Sequence, residues 1–297
     1  MKSPTRIRRA AGTLLFLAIT AAAVSSCARQ PREEKPVSMD QVRADLLTMA
    51  ESRVFFGHHS VGNNILKGIR TLADRAGVPL RIEEVAIGHP APQGPGLFHA
   101  KVGENLDPDA KIAGFAQALG DANEAPYDVA TFKFCYVDLD EGSKERSPDK
   151  LFTRYSSEMS AIETAHPGVS ILHATMPLMA EPPGRKTRLK RLLGLSTVTD
   201  AANLDRGEFN QRVRDRYAGD KLLDVARFEA TRPDGTVAGF PVGGREVEML
   251  VLDYTSDGGH LNALGQERVA ADFIHSIAEA LRHRGAVQSP ALTTPSP

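Results

Sequence analysis

Tryptophan is missing from this chain and tyrosine is scarce, with none of the first and five of the second in 297 residues. With so few exposed ring faces to offer, the protein is not expected to recognise nucleic acid by stacking bases. An excess of charge is lacking too. The formal net charge is -1, so no overall field draws in a polyanion. Cysteine is nearly absent, and Cys27 and Cys135 are the only two. A disulfide-stapled scaffold is excluded, and the fold must rest on a hydrophobic core. Hydrophobic residues make up 41% of the chain and charged residues 25%. That is ordinary globular composition, and the length fits one large domain or two small ones at roughly 100–200 residues each.

The N-terminal stretch reads as an export signal. Lys2, Arg6, Arg8 and Arg9 form a positive start, and an apolar run from Ala10 to Val24 follows. The run is short for a spanning helix, which needs about 20 residues. It ends in Val24-Ser25-Ser26-Cys27, which resembles a bacterial lipobox. Residues 1–27 are therefore expected to be a signal peptide whose cleavage leaves a lipid on Cys27. The mature chain is then expected in the bacterial cell envelope, as a membrane-anchored lipoprotein on the periplasmic or extracellular face. Cys135 would have no intrachain disulfide partner. Residues 28–38 are polar with two prolines and read as a flexible tether. Residues 39–284 carry the domain. Residues 285–297 lack periodicity and are expected to be disordered.

Within the domain two periods alternate. Ser38 and Gln41 form a capping-box pattern ahead of a helix carrying Val42, Leu46, Leu47 and Ala50. Short apolar or β-branched runs at Val54–Phe56, Leu80–Ile87, Val129–Val137, Val169–Ala174 and Leu222–Val225 read as strands. Helical stripes lie between them: Val61, Ile65, Ile69 and Leu72, with Gly77 as C-cap; Ile112, Phe115, Ala116 and Leu119; Leu204, Phe209, Val213 and Tyr217; Val269, Phe273, Ile277 and Leu281. Strands alternating with helices predict a three-layer α/β/α sandwich on a mainly parallel, flavodoxin-like sheet. Its active site should lie beyond the C-terminal strand ends. A basic stretch with Arg185, Lys186, Arg188, Lys190 and Arg191 stands apart. It reads as a solvated loop, as a lid, or as a patch facing anionic lipid or polysaccharide.

Two constellations carry chemistry. Gly57-His58-His59-Ser60-Val61-Gly62-Asn63-Asn64 joins the first strand to the helix that follows. It puts the Ser60 hydroxyl at a helix N-terminus, where free N–H groups and the dipole favour an oxyanion. A plain N-cap would use a serine in the same place. Asp257-Gly258-Gly259-His260-Leu261-Asn262 lies before the last helix. An aspartate and a histidine three apart on a glycine turn can hold an imidazole in fixed orientation, ready to take a serine proton. His58, His59, His260 and Asp257 could instead gather round zinc, but adjacent histidines diverge and no H-E-x-x-H motif or cysteine cluster is present. No metal and no cofactor is expected. Cys135, in an apolar run, is expected to be buried.

Together the two constellations resemble the SGNH/GDSL hydrolases, over roughly Arg53 to Leu281. That family carries a nucleophilic serine after its first strand and a D-x-x-H motif before its last helix. Asp257-x-x-His260 with Leu261, Asn262 and Gly265 matches the second motif closely. Gly57-His58-His59-Ser60 is a one-residue-longer variant of the first. The resemblance implies a Ser60–His260–Asp257 triad. It also implies an oxyanion hole made of the Ser60 N–H, a glycine after the second strand and an asparagine after the third. Gly88 fits the glycine best, with Gly96 second. The third strand ends Lys133-Phe134-Cys135-Tyr136-Val137-Asp138 with no asparagine, so Asn63, Asn64 or a group near Tyr136 is left for the third donor, unless the Ser60 and Gly88 N–H groups suffice. An α/β-hydrolase fits less well, since its G-x-S-x-G elbow lies in mid-chain. The implied activity is hydrolysis of O-acyl esters, of small molecules or glycans, with O-acetylated carbohydrate as the expected substrate. Alternatives are an O-acyltransferase on the same scaffold and a non-catalytic glycan-binding envelope lipoprotein. The lipid expectation has a direct check: Cys27→Ser should abolish incorporation of a labelled fatty acid, and undiminished labelling would refute it.

Overall fold

A computed structural model describes residues 37–89, 92–122, 125–180, 184, 197–242 and 245–288. The expected signal with Cys27, the tether up to residue 36, the basic residues 185–191 and the tail from residue 289 lie outside the described residues. Among the described residues, no helix is long and apolar enough to cross a membrane.

Helix α1 (Met39–Ala50) starts at Ser38, whose hydroxyl accepts the Gln41 amide. The capping box is only half made, because the Gln41 side chain turns instead to Asp45 at 2.8 Å. Strand β1 (Arg53–His58) runs into α2 (Val61–Ala76), whose Val61, Ile65, Ile69 and Leu72 are all buried. Gly77 ends α2 in the left-handed region, φ 63°, with its N–H on the Ala73 and Asp74 carbonyls. Next come β2 (Ile82–Glu84), β3 (Gly96–Lys101), α3 (Pro108–Ala118), β4 (Val129–Phe132), a 3-10 turn (Tyr136–Leu139) and α4 (Pro148–Ala165). Strand β5 (Ser170–Ala174), α5 (Val198–Arg216), β6 (Leu222–Leu223) and α6 (Val225–Ala230) follow. A two-stranded antiparallel hairpin, β7 (Gly239–Val242) with β8 (Arg245–Glu248), precedes α7 (Ala263–Gln288).

The main sheet has order β2-β3-β1-β4-β5-β6 and every pairing in it is parallel. Alternation along β1 divides the core. Val54 and Phe56 face a cluster built from α1, α2 and α7, while Phe55 faces one built from α3, α4 and α5. These are the three layers expected of alternating strand and helix periods.

Three readings of the sequence change. The strand expected at Leu80–Ile87 is the short edge strand β2, and the neighbour of β1 is β3, which the sequence reading passed over. Two other expected strands stop early. β4 ends at Phe132 and β6 at Leu223, each giving way to a helical turn. Helix α7 continues to Gln288, past residue 284, where the tail was expected to begin.

One buried ion pair positions the turn after β4. Lys111 Nζ and Asp138 Oδ2 are 2.5 Å apart with both side chains fully buried. The same carboxylate accepts the Cys135 amide at 2.7 Å and the Leu106 amide at 2.9 Å. Removing one partner of such a pair strands the other charge in the core. Asp138→Ala should therefore lower the unfolding free energy by about 3–5 kcal/mol; a loss within about 0.5 kcal/mol in urea titration, as for a surface change, would show the pair to be dispensable.

Candidate active site

Ser60 sits between β1 and α2 in a conformation that a serine seldom adopts, φ 47° and ψ -103°. It makes no side-chain cap to α2, so the ordinary N-cap role is not the one it plays. Its Oγ instead lies 2.7 Å from His260 Nε2, across 200 residues of sequence. On the other side of the ring, His260 Nδ1 lies 2.7 Å from Asp257 Oδ2. The carboxylate accepts the Nδ1 proton, which leaves Nε2 bare to accept from the serine. The structure thus brings Ser60, His260 and Asp257 into one hydrogen-bonded line.

The turn that carries the acid and base is fixed by its own backbone. Asp257 Oδ1 accepts the Gly259 amide at 2.9 Å and the His260 amide at 2.8 Å. These two amides, ahead of the contact with the imidazole, hold the Asp257 carboxyl well below the usual carboxylate range. Thr255 Oγ1 accepts the Gly258 amide at 2.9 Å, and the Gly258 carbonyl accepts the Ala180 amide at 2.8 Å. Asn262 then caps α7 by accepting the Gly265 amide.

The serine side is held as tightly. His59 Nε2 lies 3.0 Å from the Val102 carbonyl and 2.9 Å from the Gly103 carbonyl, so this nitrogen carries the proton. Lys133 Nζ, fully buried, donates to the His59 carbonyl at 3.2 Å. Burial pushes the Lys133 ammonium down from its ordinary value. Gly62 packs on His58 so closely that a side chain there would overlap it. The Ser60 amide donates to no protein acceptor among the described residues, leaving it free for a ligand.

The remaining expectations fare unevenly. Gly88 is not near Ser60. It lies with Phe55, Ala118 and Tyr127 at the end of the sheet where strands begin. The reason is the misplaced strand: the loop following the true neighbour of β1 starts at Val102, not after Ile87. Gly96, the second choice, opens β3 and so also lies at that end. Asn64 Oδ1 accepts the Leu261 amide at 3.2 Å and ties α2 to the Asp257–His260 turn. Asn63 is exposed, with no side-chain hydrogen bond among the described residues. His58 and His59 do diverge. His58 enters the core, its Nε2 3.1 Å from His99 Nδ1, and burial takes its pKa down to about 2. Among the described residues, no group of three potential ligands gathers for a metal ion. Cys135 is buried.

No family model matches the chain, and neither does any curated protein. Among solved structures, it is similar to a GDSL-like lipase from Bacteroides thetaiotaomicron, at 12% identity over 83% of this chain and 98% of that one, with a TM-score of 0.46. It is similar to an acetyl esterase mutant with acetate ion, at 13% identity, 78% and 97% coverage, and a TM-score of 0.41. A carbohydrate esterase family 3 protein from Talaromyces cellulolyticus gives 14% identity, 78% and 97% coverage, and a TM-score of 0.41. The likeness is one of shape alone.

Beneath the site lies a polar layer that motif reading missed. Asn210 and Asn203 each accept an amide from, and donate to a carbonyl of, the strand-like segment after β5. Asn210 does so at Met176 and Asn203 at Met179. Glu229 accepts the Leu178 amide at 2.7 Å. Arg206, fully buried, bonds the Tyr136 carbonyl, Asn203 and Asp140. A lysine inside the apolar run Val129–Val137 was the one sequence sign of this layer.

Burial pushes the Glu229 carboxyl up to about 8. The native protein therefore keeps a proton between about pH 4.5 and 8 that the unfolded chain releases, so this group's contribution to stability falls as pH rises through that window. Glu229→Gln keeps an acceptor for Leu178 and removes the titration. Its unfolding free energy should gain on the parent by a few kcal/mol between pH 5 and 9, at about 1.4 kcal/mol per pH unit at most. Parallel stability profiles would refute this.

Proposed function

We propose that the protein is a serine ester hydrolase with Ser60 as nucleophile, His260 as general base and acid, and Asp257 as the group that orients His260. The observation that carries this reading is the unbroken line of two 2.7 Å contacts from Ser60 Oγ through His260 to Asp257. A serine held at an unfavourable φ and excused from capping its own helix adds support, because such strain persists where the surroundings enforce it.

The steps follow from the geometry. Ser60 Oγ attacks the ester carbonyl while its proton passes to His260 Nε2. Asp257, already accepting at Nδ1, offsets the charge that appears on the ring. The free Ser60 amide at the N-terminus of α2 faces the developing oxyanion. His260 then gives its proton to the leaving alcohol. Water repeats the sequence to release the acid.

His260 and Asp257 keep side-chain exposures of 46% and 57%, so the reacting groups are open to an ester on a bulky carrier. Together with the expected export to the envelope, this favours an O-acyl group on carbohydrate, with acetyl as the acyl group.

A fluorophosphonate probe should label the wild type at Ser60. Ser60→Ala should abolish that label and reduce p-nitrophenyl acetate turnover by about 10⁴–10⁶-fold with an unchanged melting curve. Wild-type turnover in the alanine variant would end the proposal.

A further inference from the structure

Tyr136 opens the 3-10 turn after β4, and its phenol is fixed from several sides. The Arg206 guanidinium lies over the ring at 5.9 Å from the centroid, and Arg206 Nε donates to the Tyr136 carbonyl at 2.8 Å. The ring meets His260 edge-on, with centroids 5.9 Å apart. Its Cζ and Oη press against Gly259 so closely that a Cβ there would come within 2.9 Å of both. The phenolic O–H thus lies against the base and the glycine turn, beside the ring that the nucleophile contacts. The proton relay through His260 does not use it.

We propose that Tyr136 is a catalytic residue whose O–H donates to the oxyanion formed when Ser60 attacks the ester. The assignment rests on the hydrolase reading above. As Oγ bonds to the carbonyl carbon, the π pair moves to the former carbonyl oxygen, one bond from the carbon that Oγ now holds. A donor packed on the ring that Oγ contacts stands close to where that oxygen forms. The Ser60 proton goes to His260, and the phenol keeps its own proton, sharing it in the hydrogen bond. When the intermediate collapses, the pair returns, the bond to the alcohol breaks and His260 protonates the leaving oxygen. The donor must stay protonated throughout. Burial and then the Asp257 charge raise the phenol's pKa above its ordinary value, against the smaller lowering by Ser60. Fixed O–H and N–H groups of this kind cost no reorganisation when charge develops.

Tyr136→Phe keeps the ring and its packing on Arg206, Gly259 and His260. We expect kcat for p-nitrophenyl acetate to fall about 10²-fold with little change in KM. Affinity for phenylboronic acid, which forms a tetrahedral anion on an activated serine, should fall in parallel while the melting temperature holds. Tyr136→3-fluorotyrosine, a stronger donor of nearly the same size, should move kcat without moving the melting temperature. A Phe variant with wild-type kcat overturns the assignment, as does one whose kcat falls while boronate affinity is untouched. Fluorophosphonate labelling separates the two readings. An unlabelled wild type defeats the hydrolase and this assignment together, whereas a labelled wild type beside an indifferent Phe variant defeats this assignment alone.

Discussion

The backbone of Ser60 is the constraint on which the site depends. A non-glycine residue at positive φ costs roughly 1–3 kcal/mol and holds only if its surroundings over-determine it. Here they do. The preceding imidazole bridges two carbonyls of the loop after β3. The preceding carbonyl accepts both a buried ammonium and the Gly62 amide. The Ser60 carbonyl accepts the Asn63 amide. Each bond acts on the chain next to the serine rather than on its hydroxyl. The hydroxyl is left to meet His260, and the amide has no protein acceptor among the described residues.

The layer under the strand ends explains why so many charges are buried in one place. Lys111, Lys133, Arg206, Asp138 and Glu229 are all fully buried. Groups like these cost stability unless they are paired or neutralised. What they supply is direction. Asp138 fixes the turn that begins at Tyr136. Arg206 holds the same turn through the Tyr136 carbonyl and Asp140. The two asparagines and Glu229 hold the segment whose next residue, Ala180, bonds the Asp257–His260 turn. A core of leucines would fill the same volume without specifying which backbone groups stand where.

What the sequence made legible was local. The buried stripe of α2 and its glycine end were readable because a 3.6-residue period and a left-handed stop are properties of neighbouring residues. So was the Asp257–His260 turn, whose carboxylate is satisfied by amides two and three residues on. Pairing order was not readable. β3 is a six-residue strand after a proline- and glycine-rich stretch, and only its insertion between β1 and β2 reveals it. That single omission displaced Gly88 to the wrong end of the sheet. Asn64 looked like a donor to a ligand because its partner, the Leu261 amide, lies 197 residues away. Lys133 and Glu229 belong to one polar layer through folding alone, and nothing in their spacing announces it.

The trio also spans nearly the whole domain in order of synthesis. The ribosome makes the hydroxyl early and the imidazole only after every strand of the sheet. Until helix α7 has docked beside α2, a nascent chain holds a serine with no base. A chain cut short before Asp257 would keep the serine and lack both of its partners. The proposed triad is therefore complete only in a chain that extends past His260.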